Sequence, residues 1–180
     1  NRTNDFKARH PERFFDFGIA EKNMITAAAG LAASGMVAYA ATFAAFSAVL
    51  AAEQIKTDCA YPGMKVRIIG HHSGISMGFY GSSHHATEDL AMMRAIPNST
   101  VLYPSDAVSA ECLVAAAAGL KGATYIRTSR PATPVLYANT EEFPIGGSKV
   151  VRSSAKDALT VVAAGVALHE ALTASDTLKA

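Results

Sequence analysis

The residues "KVRIIGHHSGISMGFYGSSHHATEDLAMMRAIPNSTVLYPSD", from Lys65 to Asp106, contain the pattern that decides the fold class. They begin with a short apolar run typical of a buried strand, pass through a loop rich in glycine, serine and histidine, and continue as a helix that Pro97 ends. The residues "TVLYPSD" then predict a second strand, followed by a helix cap at Ser105 or Asp106. Strand, helix and strand in this order predict a parallel βαβ arrangement.

The same alternation continues in both directions along the chain. On the N-terminal side it includes a helical run from Glu21 to Ser34, a short strand in "GMVAYA" and an alanine-rich helix in "TFAAFSAVLAAEQIKTDCA". On the C-terminal side, a helix that ends near Gly119 precedes the strand "ATYIRTSRP". The sequence therefore predicts an α/β fold, with a mostly parallel sheet and helices on both of its faces.

The last forty residues predict a change of domain. Residues 139–157 are polar, contain proline and two adjacent glycines, and are predicted to form a linker. The residues "ALTVVAAGVALHEAL" predict a strand and a helix that open a second α/β domain over residues 158–180. This unfinished unit predicts that the sequence is part of a longer protein or one half of a split one.

Composition limits the classes of function. The 180 residues include 16 basic and 15 acidic side chains, a net charge of +1 that argues against a nucleic-acid partner. The sequence contains no apolar run of the roughly 18 residues that a membrane span needs, and its polar start lacks a signal core. Cys59 and Cys112 are isolated thiols without metal-binding spacing. We therefore expect a cytoplasmic protein without a membrane or nucleic-acid partner.

The loop after the first buried strand is the richest candidate site, because ligands of open parallel sheets bind beyond the carboxyl ends of the strands. It contains four histidines: His71, His72, His84 and His85. A metal site is one interpretation, but adjacent residues are expected to point apart and no carboxylate or thiol has zinc-site spacing. A purely structural loop is a second interpretation. A binding loop for a polar substrate is favoured, because histidine donors suit hydroxyl and phosphate oxygens.

Three further features have both a structural and a functional interpretation. Glu21 precedes an apolar helix, where it either caps the helix or takes part in chemistry. Phe43 and Phe46 have the i, i+3 spacing of one helical face, which favours core packing over a platform for a flat heterocycle. Arg130 is a candidate clamp for phosphate or carboxylate, whereas Arg127 is expected to form a surface ion pair.

Five motifs together resemble the thiamine-diphosphate-dependent transketolase family: "FFDFGIAEKNM", "TFAAF", "EDLAMMRAIPNSTVLYPSD", "YIRTSRP" and "AGVALHEAL". They occur in the family's order and at its spacings over nearly the whole chain. The resemblance implies a pyrimidine-binding domain at residues 1–138, without its first strand, then the linker at 139–157 and the start of the C-terminal domain at 158–180. It also implies transfer of a two-carbon ketol unit from a ketose to an aldose.

The resemblance assigns roles to particular residues. It implies that Glu21 hydrogen-bonds the N1′ atom of the cofactor's aminopyrimidine ring and helps to activate the cofactor. It implies that Phe46 stacks on this ring with Phe43 nearby, and that His84 is catalytic together with Glu21. The positions that match the family's contacts with the sugar and its terminal phosphate are His72, Tyr80, His84 and Arg130.

The sequence departs from the family pattern in two places. Many transketolases have an acidic pair where this chain has Phe79 and Tyr80, so the carboxylate that would bind a hydroxyl of the acceptor sugar is missing. The chain also lacks the "GDG…N" signature that binds Mg²⁺ and the diphosphate, and no metal ligand is assigned to it. Thiamine diphosphate and Mg²⁺ are therefore expected to require a separate diphosphate-binding domain or subunit, in a homodimer or a heterotetramer.

Related interpretations stay open at this point. The "IAE" and "STVLYPSD" strings occur in variant form in deoxyxylulose-phosphate synthase and in the β subunits of 2-oxoacid dehydrogenases, whereas "TFAAF" with "IRTSRP" fits transketolase better. A non-catalytic paralogue that kept the fold is a further alternative. Packing alone does not require Glu21, Phe46, His72, His84 and Arg130, and their presence argues for an enzyme.

Overall fold

The computed structural model describes residues 3–178. The helices are α1 (Asn4–Arg9), α2 (Glu21–Ala33), α3 (Ala52–Gln54), α4 (Asp89–Ala95), α5 (Ala107–Gly119) and α6 (Val166–Thr177), and the strands are β1 (Ala38–Phe43), β2 (Val66–His71), β3 (Ser99–Leu102) and β4 (Ala123–Arg127). Tight 3₁₀ turns form at Pro11–Arg13, Gly78–Tyr80 and Ser82–His84, and wider π-type turns at Phe46–Leu50 and Ile55–Ala60. None of the helices in this part of the chain is long and apolar enough to cross a membrane.

The four strands form one parallel sheet in the order β1-β2-β4-β3. Ile68 and Tyr125 pack on one face, in a large core shared with α2, α4 and the π-type turns. On the other face, Ile69 and Ile126 contact apolar side chains of α5. Helices therefore cover both faces of the sheet, and the predicted α/β fold class is confirmed.

A buried arginine joins the sheet to the end of α5. Arg67 of β2 is fully buried and donates to the carbonyl of Gly122 at 2.6 Å and to the hydroxyl of Thr124 at 3.3 Å. It also donates to the carbonyls of Ala118, at 3.4 Å, and Leu120. The last carbonyls of a helix have no partner within the helix. Arg67 thus satisfies backbone groups at the end of α5 and fixes this helix against β2.

Gly70 leaves the space that Tyr125 occupies beside β2. A Cβ atom at position 70 would lie 2.3 Å from the Tyr125 hydroxyl oxygen and 2.6 Å from Cε2 of its ring. The Tyr125 side chain is fully buried and donates a hydrogen bond to Asp89 at 2.8 Å, so the ring has little freedom to move away.

We expect Gly70→Ala to lower the free energy of unfolding by about 1–3 kcal/mol, because it overpacks this part of the core. Urea denaturation monitored by circular dichroism would measure the loss. Gly30→Ala is the matched control, because an added Cβ at this position in α2 meets no atom within 4 Å. An equal loss in the two variants would contradict the explanation by overpacking.

The structure corrects the predicted start of the alanine-rich helix. Strand β1 continues through Phe43, because residues Ala38–Phe43 pair in parallel with Val66–His71 of β2. Phe43 is therefore the last residue of a strand, and Phe46 lies in the first π-type turn. The prediction that the two rings share one helical face was wrong.

The start of α5 agrees with the predicted cap. Asp106 is the N-cap residue, and its carboxylate accepts the backbone N–H of Ser109 at 2.8 Å. The other carboxylate oxygen accepts the N–H groups of Leu136, at 2.8 Å, and Tyr137, at 3.1 Å. One side chain thus caps the helix and holds the chain segment that follows β4.

The strand predicted for the second unit does not form within the described residues. Residues 158–164 have no regular structure, and Leu159, Val161 and Val162 are exposed. A strand needs a neighbouring strand for its backbone hydrogen bonds, and none of the four strands that the structure describes pairs with this segment. The predicted helix does form as α6, beside the α5 cap: Gly165 N–H donates to the Ser105 hydroxyl at 3.0 Å. The domain boundaries at residues 138 and 158 stay a prediction.

Candidate active site

Glu21 is the first residue of α2 and reaches the carboxyl end of β1. Its half-buried carboxylate accepts a hydrogen bond from the Thr42 hydroxyl at 3.4 Å. The residue before it, Ala20, is the N-cap of α2 and makes no side-chain cap. Among the hydrogen bonds of the described residues, the Glu21 carboxylate bonds to β1 and not to the backbone of its own helix. This geometry favours the functional interpretation of Glu21 over side-chain capping.

The pairing of β1 with β2 brings aromatic rings together beside Thr42. Phe43 and His71 are register partners at the ends of the two strands, and their ring centroids are 4.8 Å apart. The Phe46 ring contacts that of Phe43 edge-on at 5.5 Å. Phe46 also packs against the buried residues Ala44, Ala45 and Ala86.

A backbone irregularity places His72 in the same group of rings. The N–H of Thr128 donates to the Gly70 carbonyl at 2.9 Å, and the Thr128 carbonyl accepts the N–H of Ser73 at 3.1 Å. A regular parallel ladder would use the N–H of His72 there, so His72 is one extra residue, a β-bulge. Its φ of 56° lies in the left-handed region, which is uncommon for a residue other than glycine.

As a result, the two adjacent histidine rings converge. Their Nδ1 atoms are 2.7 Å apart, and the His72 ring also contacts Phe43 at 4.9 Å. The expectation that adjacent histidines point apart was therefore wrong for this pair, because the bulge reverses the usual alternation.

The glycine-rich loop between β2 and α4 contributes two further rings to this group. The His84 ring lies 5.4 Å from Phe43 and 5.1 Å from Phe46, and Tyr80 contacts His84 at 4.8 Å. Backbone hydrogen bonds of 3.0 and 2.9 Å between Gly74 and Ala86 join the two ends of the loop. We call Phe43, Phe46, His71, His72, Tyr80 and His84 the aromatic cluster.

Arg130 reaches the aromatic cluster through Phe79. Its guanidinium group lies 5.4 Å from the centre of the Phe79 ring, and this ring contacts Tyr80 at 4.4 Å. The side chains of this end of the site are accessible: Phe79 is 69% exposed, Tyr80 is 53% exposed, and Arg130 is also exposed. Arg130 is therefore free to contact an anion that approaches the cluster from solvent.

Arg127 corrects the prediction of a surface ion pair. The residue is 8% exposed, and its Nε donates to Asp89 at 2.8 Å, inside the protein. Asp89 is fully buried and also accepts the hydrogen bond from Tyr125. Arg127 donates in addition to the Ala86 carbonyl at 3.3 Å, at the end of the glycine-rich loop. The ion pair thus supports the base of the loop that carries Tyr80 and His84.

Burial keeps the two converging histidines neutral. Burial and the neighbouring His72 ring lower the pKa of His71 to about 4. Burial and the positive charge of Arg130 lower the pKa of His72 below its usual value. At neutral pH both rings are therefore uncharged hydrogen-bonding groups.

The structure brings the sequence-predicted residues to one place. Five of them are members of the aromatic cluster: Phe43, Phe46, His72, Tyr80 and His84. Glu21 bonds to Thr42, the residue before Phe43 of the cluster, and Arg130 contacts Phe79, the residue before Tyr80 of the cluster. Within residues 3–178, no three side chains of the histidine, cysteine, aspartate or glutamate type are grouped so as to hold a metal ion.

Sequence reasoning placed His71 in the candidate loop but gave it no role, and it did not assign Phe79 to the site. The sequence signal for His71 is its place at the end of β2, where it pairs with Phe43 at the end of β1. This pairing could have been recognised only if β1 had been predicted to end at Phe43. Phe79 was identified only as a residue that stands where the family pattern has an acidic side chain, and nothing in its spacing indicated the contact with Arg130.

Comparisons with known proteins give one consistent family. A family model described as the transketolase pyrimidine-binding domain matches residues 1–135. Transketolase-like protein 1 of Bos taurus is 51% identical over 174 residues, which are 96% of this chain and 29% of that protein. Transketolase of Homo sapiens is 47% identical over 175 residues, 97% of this chain and 28% of that protein. The chain thus spans less than a third of the length of these two relatives.

A solved structure is also similar to the chain. A split-gene transketolase, described as an inactive β4 tetramer, superposes with a TM-score of 0.88 at 38% sequence identity. The match covers 99% of this chain and 58% of the other.

Proposed function

Because this chain belongs to the transketolase family, we propose that it takes part in the transfer of a two-carbon ketol unit from a ketose phosphate to an aldose phosphate. In this proposal it supplies Glu21 and the substrate-binding aromatic cluster, and His84 is the second catalytic residue. The observation that carries the proposal is the position of the Glu21 carboxylate, hydrogen-bonded to Thr42 at the carboxyl end of β1, directly before Phe43 of the aromatic cluster.

The residues beside Glu21 fit the aminopyrimidine ring of thiamine diphosphate. Thr42 occupies one carboxylate oxygen at a long distance of 3.4 Å, which leaves Glu21 able to bind a ring nitrogen. Phe43 and Phe46 offer aromatic surface for a flat heterocycle. When bound, the cofactor supplies the carbon nucleophile of the reaction. The role of Glu21 is to hold a proton at N1′ of the ring, and that of Phe46 is to stack on the ring.

The diphosphate and Mg²⁺ are proposed to bind to a separate domain or subunit, with the cofactor between the two parts. Ile19 is 98% exposed and Phe15 is 60% exposed, both shortly before Glu21 in sequence, so a partner that covers this segment would bury apolar surface. A homodimer or a heterotetramer in the cytoplasm is the corresponding assembly.

A transfer assay tests the proposed function. The assembled enzyme, made from this chain and the diphosphate-binding part, is given a ketose phosphate donor, an aldose phosphate acceptor, thiamine diphosphate and Mg²⁺, without a lipoyl carrier protein. The expected result is a new ketose that is two carbons longer than the acceptor. No transfer under these conditions would overturn the proposal and favour a non-catalytic paralogue. Tight binding of the cofactor by this chain alone would contradict the proposal that the cofactor binds between this chain and a separate diphosphate-binding part.

Arg130 is proposed to bind the terminal phosphate of the substrate. We expect Arg130→Ala to lower kcat/KM for a phosphorylated aldose by about tenfold to a hundredfold, the range of hydrogen bonds to a charged group. The kcat/KM for the matching unphosphorylated aldose should stay unchanged.

The control for this variant is Arg94→Ala, which removes another exposed arginine, in the last turn of α4. It should leave both values unchanged. If the wild-type enzyme showed no preference for phosphorylated acceptors, the proposal that Arg130 binds the substrate phosphate would be contradicted.

A further inference from the structure

The proposed function assigns no role to the contact between His71 and His72. We propose that His71 is a positioning residue that holds His72 as its Nε2–H tautomer, so that His72 donates a hydrogen bond to an oxygen of the sugar substrate. The identity of the substrate rests on the proposed function, whereas the position of the protons rests on the geometry of the two rings.

The backbone fixes the relative position of the two histidines. Hydrogen bonds from Thr128 to Gly70 and from Ser73 to Thr128 hold the chain on either side of the pair. These contacts maintain the left-handed conformation of His72, which costs free energy in a residue with a Cβ atom. Such local strain persists only where the surrounding structure enforces it, and it is concentrated at functional sites.

The distance between the two rings requires a hydrogen bond between their Nδ1 atoms. The two Nδ1 atoms are 2.7 Å apart, which is the separation of a hydrogen bond. A neutral imidazole has one N–H group and one nitrogen lone pair. One ring must therefore present Nδ1–H, and the other ring must present the Nδ1 lone pair.

The surroundings of His71 indicate which ring donates. Its Nε2 atom is buried and has no hydrogen-bond partner within the described residues. If His71 accepted the proton at Nδ1, its own hydrogen would sit on this buried Nε2 as an unsatisfied donor. Orphaned buried N–H groups are rarer than under-satisfied acceptors. His71 is thus the donor through Nδ1–H, and Nε2 retains the lone pair.

This assignment determines the chemistry that His72 offers. Its Nδ1 accepts the proton of His71, so its own hydrogen is on Nε2, the nitrogen left for a ligand. Contacts of both histidine rings with Phe43, at 4.8 and 4.9 Å, restrict their orientation. His72 is therefore a neutral, oriented donor, suited to a hydroxyl, carbonyl or phosphate oxygen of a sugar.

Neutron diffraction from deuterium-exchanged crystals of the assembled enzyme tests the proton positions directly. The expected result is a deuteron on Nδ1 of His71 and another on Nε2 of His72. A deuteron on Nδ1 of His72, or Nδ1 atoms too far apart for a hydrogen bond, would overturn the inference. This measurement does not depend on activity, so it separates a failure of the inference from a failure of the proposed function.

Two variants of His71 test its effect on catalysis. His71→Leu removes the donor, and we expect it to lower kcat/KM about tenfold, mainly by raising KM, as for the loss of one hydrogen bond. His71→Asn keeps an N–H donor near the position of Nδ1 and should recover most of this loss. His10→Leu, which removes a half-buried histidine that contacts Phe6 outside this loop, is the control and should leave kcat/KM unchanged. Equal losses in His71→Leu and His71→Asn would overturn the positioning role.

A double-mutant cycle shows whether His71 acts through His72. In a His72→Phe background, His71→Leu is expected to cause no further loss of kcat/KM, because the residue that His71 positions is gone. Fully additive losses would show that His71 acts independently and would overturn the inference.

Discussion

We expect Glu21→Gln to lower the turnover of the assembled enzyme by about 10²–10⁴-fold, the usual contribution of a positioned acid–base group. Glutamine has nearly the same shape and retains an oxygen that can accept the hydrogen bond from Thr42. It cannot exchange a proton with N1′ of the aminopyrimidine ring as a carboxyl group does. The loss should therefore appear in kcat, while the cofactor still binds.

Steady-state kinetics at saturating cofactor, with a parallel titration of cofactor binding, measure the two effects separately. Glu111→Gln is the matched control, since Glu111 is an exposed carboxylate on α5, away from the aromatic cluster. A Glu21→Gln enzyme with the turnover of the wild type would return Glu21 to a structural role at the start of α2.

The second large effect is expected for stability. Arg127→Met should lower the free energy of unfolding by about 3–5 kcal/mol, because it leaves the buried Asp89 carboxylate without its cationic partner. The Asp89 side chain is fully buried, and its Oδ1 atom already has no hydrogen-bond partner in the described part of the chain. After the substitution, the carboxylate would keep the hydroxyl of Tyr125 as a donor.

Urea denaturation of the wild type and the variant measures this loss. Arg130→Met is a control of the same chemistry at an exposed position three residues later, and it should change stability by less than about 0.5 kcal/mol. Adding Asp89→Asn to Arg127→Met should restore part of the loss, because the unpaired charge disappears. A double variant less stable than Arg127→Met would contradict the explanation by charge burial.

The regular parts of the fold could be predicted because their sequence patterns are local. The apolar run of β2 and the start and stop signals of α4 and α5 each lie within a few residues of the element that they define. The end of β1 was missed because Thr42 and Phe43, although both favour strands, run directly into the alanine-rich helical pattern that follows them. Pairing with β2, a contact distant in sequence, extends the strand.

The site residues were predicted from a resemblance to a family, but their arrangement was not. The bulge at His72 depends on which N–H bonds to Thr128, and no residue type in "GHHS" encodes that choice. The burial of Arg127 depends likewise on Asp89, 38 residues away, so the charge pattern alone predicted a surface pair. Features that depend on such non-local contacts require coordinates.

The packing of Tyr125 beside Gly70 restricts the order in which these positions can change during evolution. A side chain at position 70 becomes acceptable only in a lineage that has already replaced the tyrosine by a smaller residue, because the added Cβ would lie 2.3 Å from the tyrosine hydroxyl. Replacing that tyrosine removes a donor from Asp89, which lies in an ion pair with Arg127. Positions 70, 89, 125 and 127 are therefore expected to covary among homologues as one epistatic group.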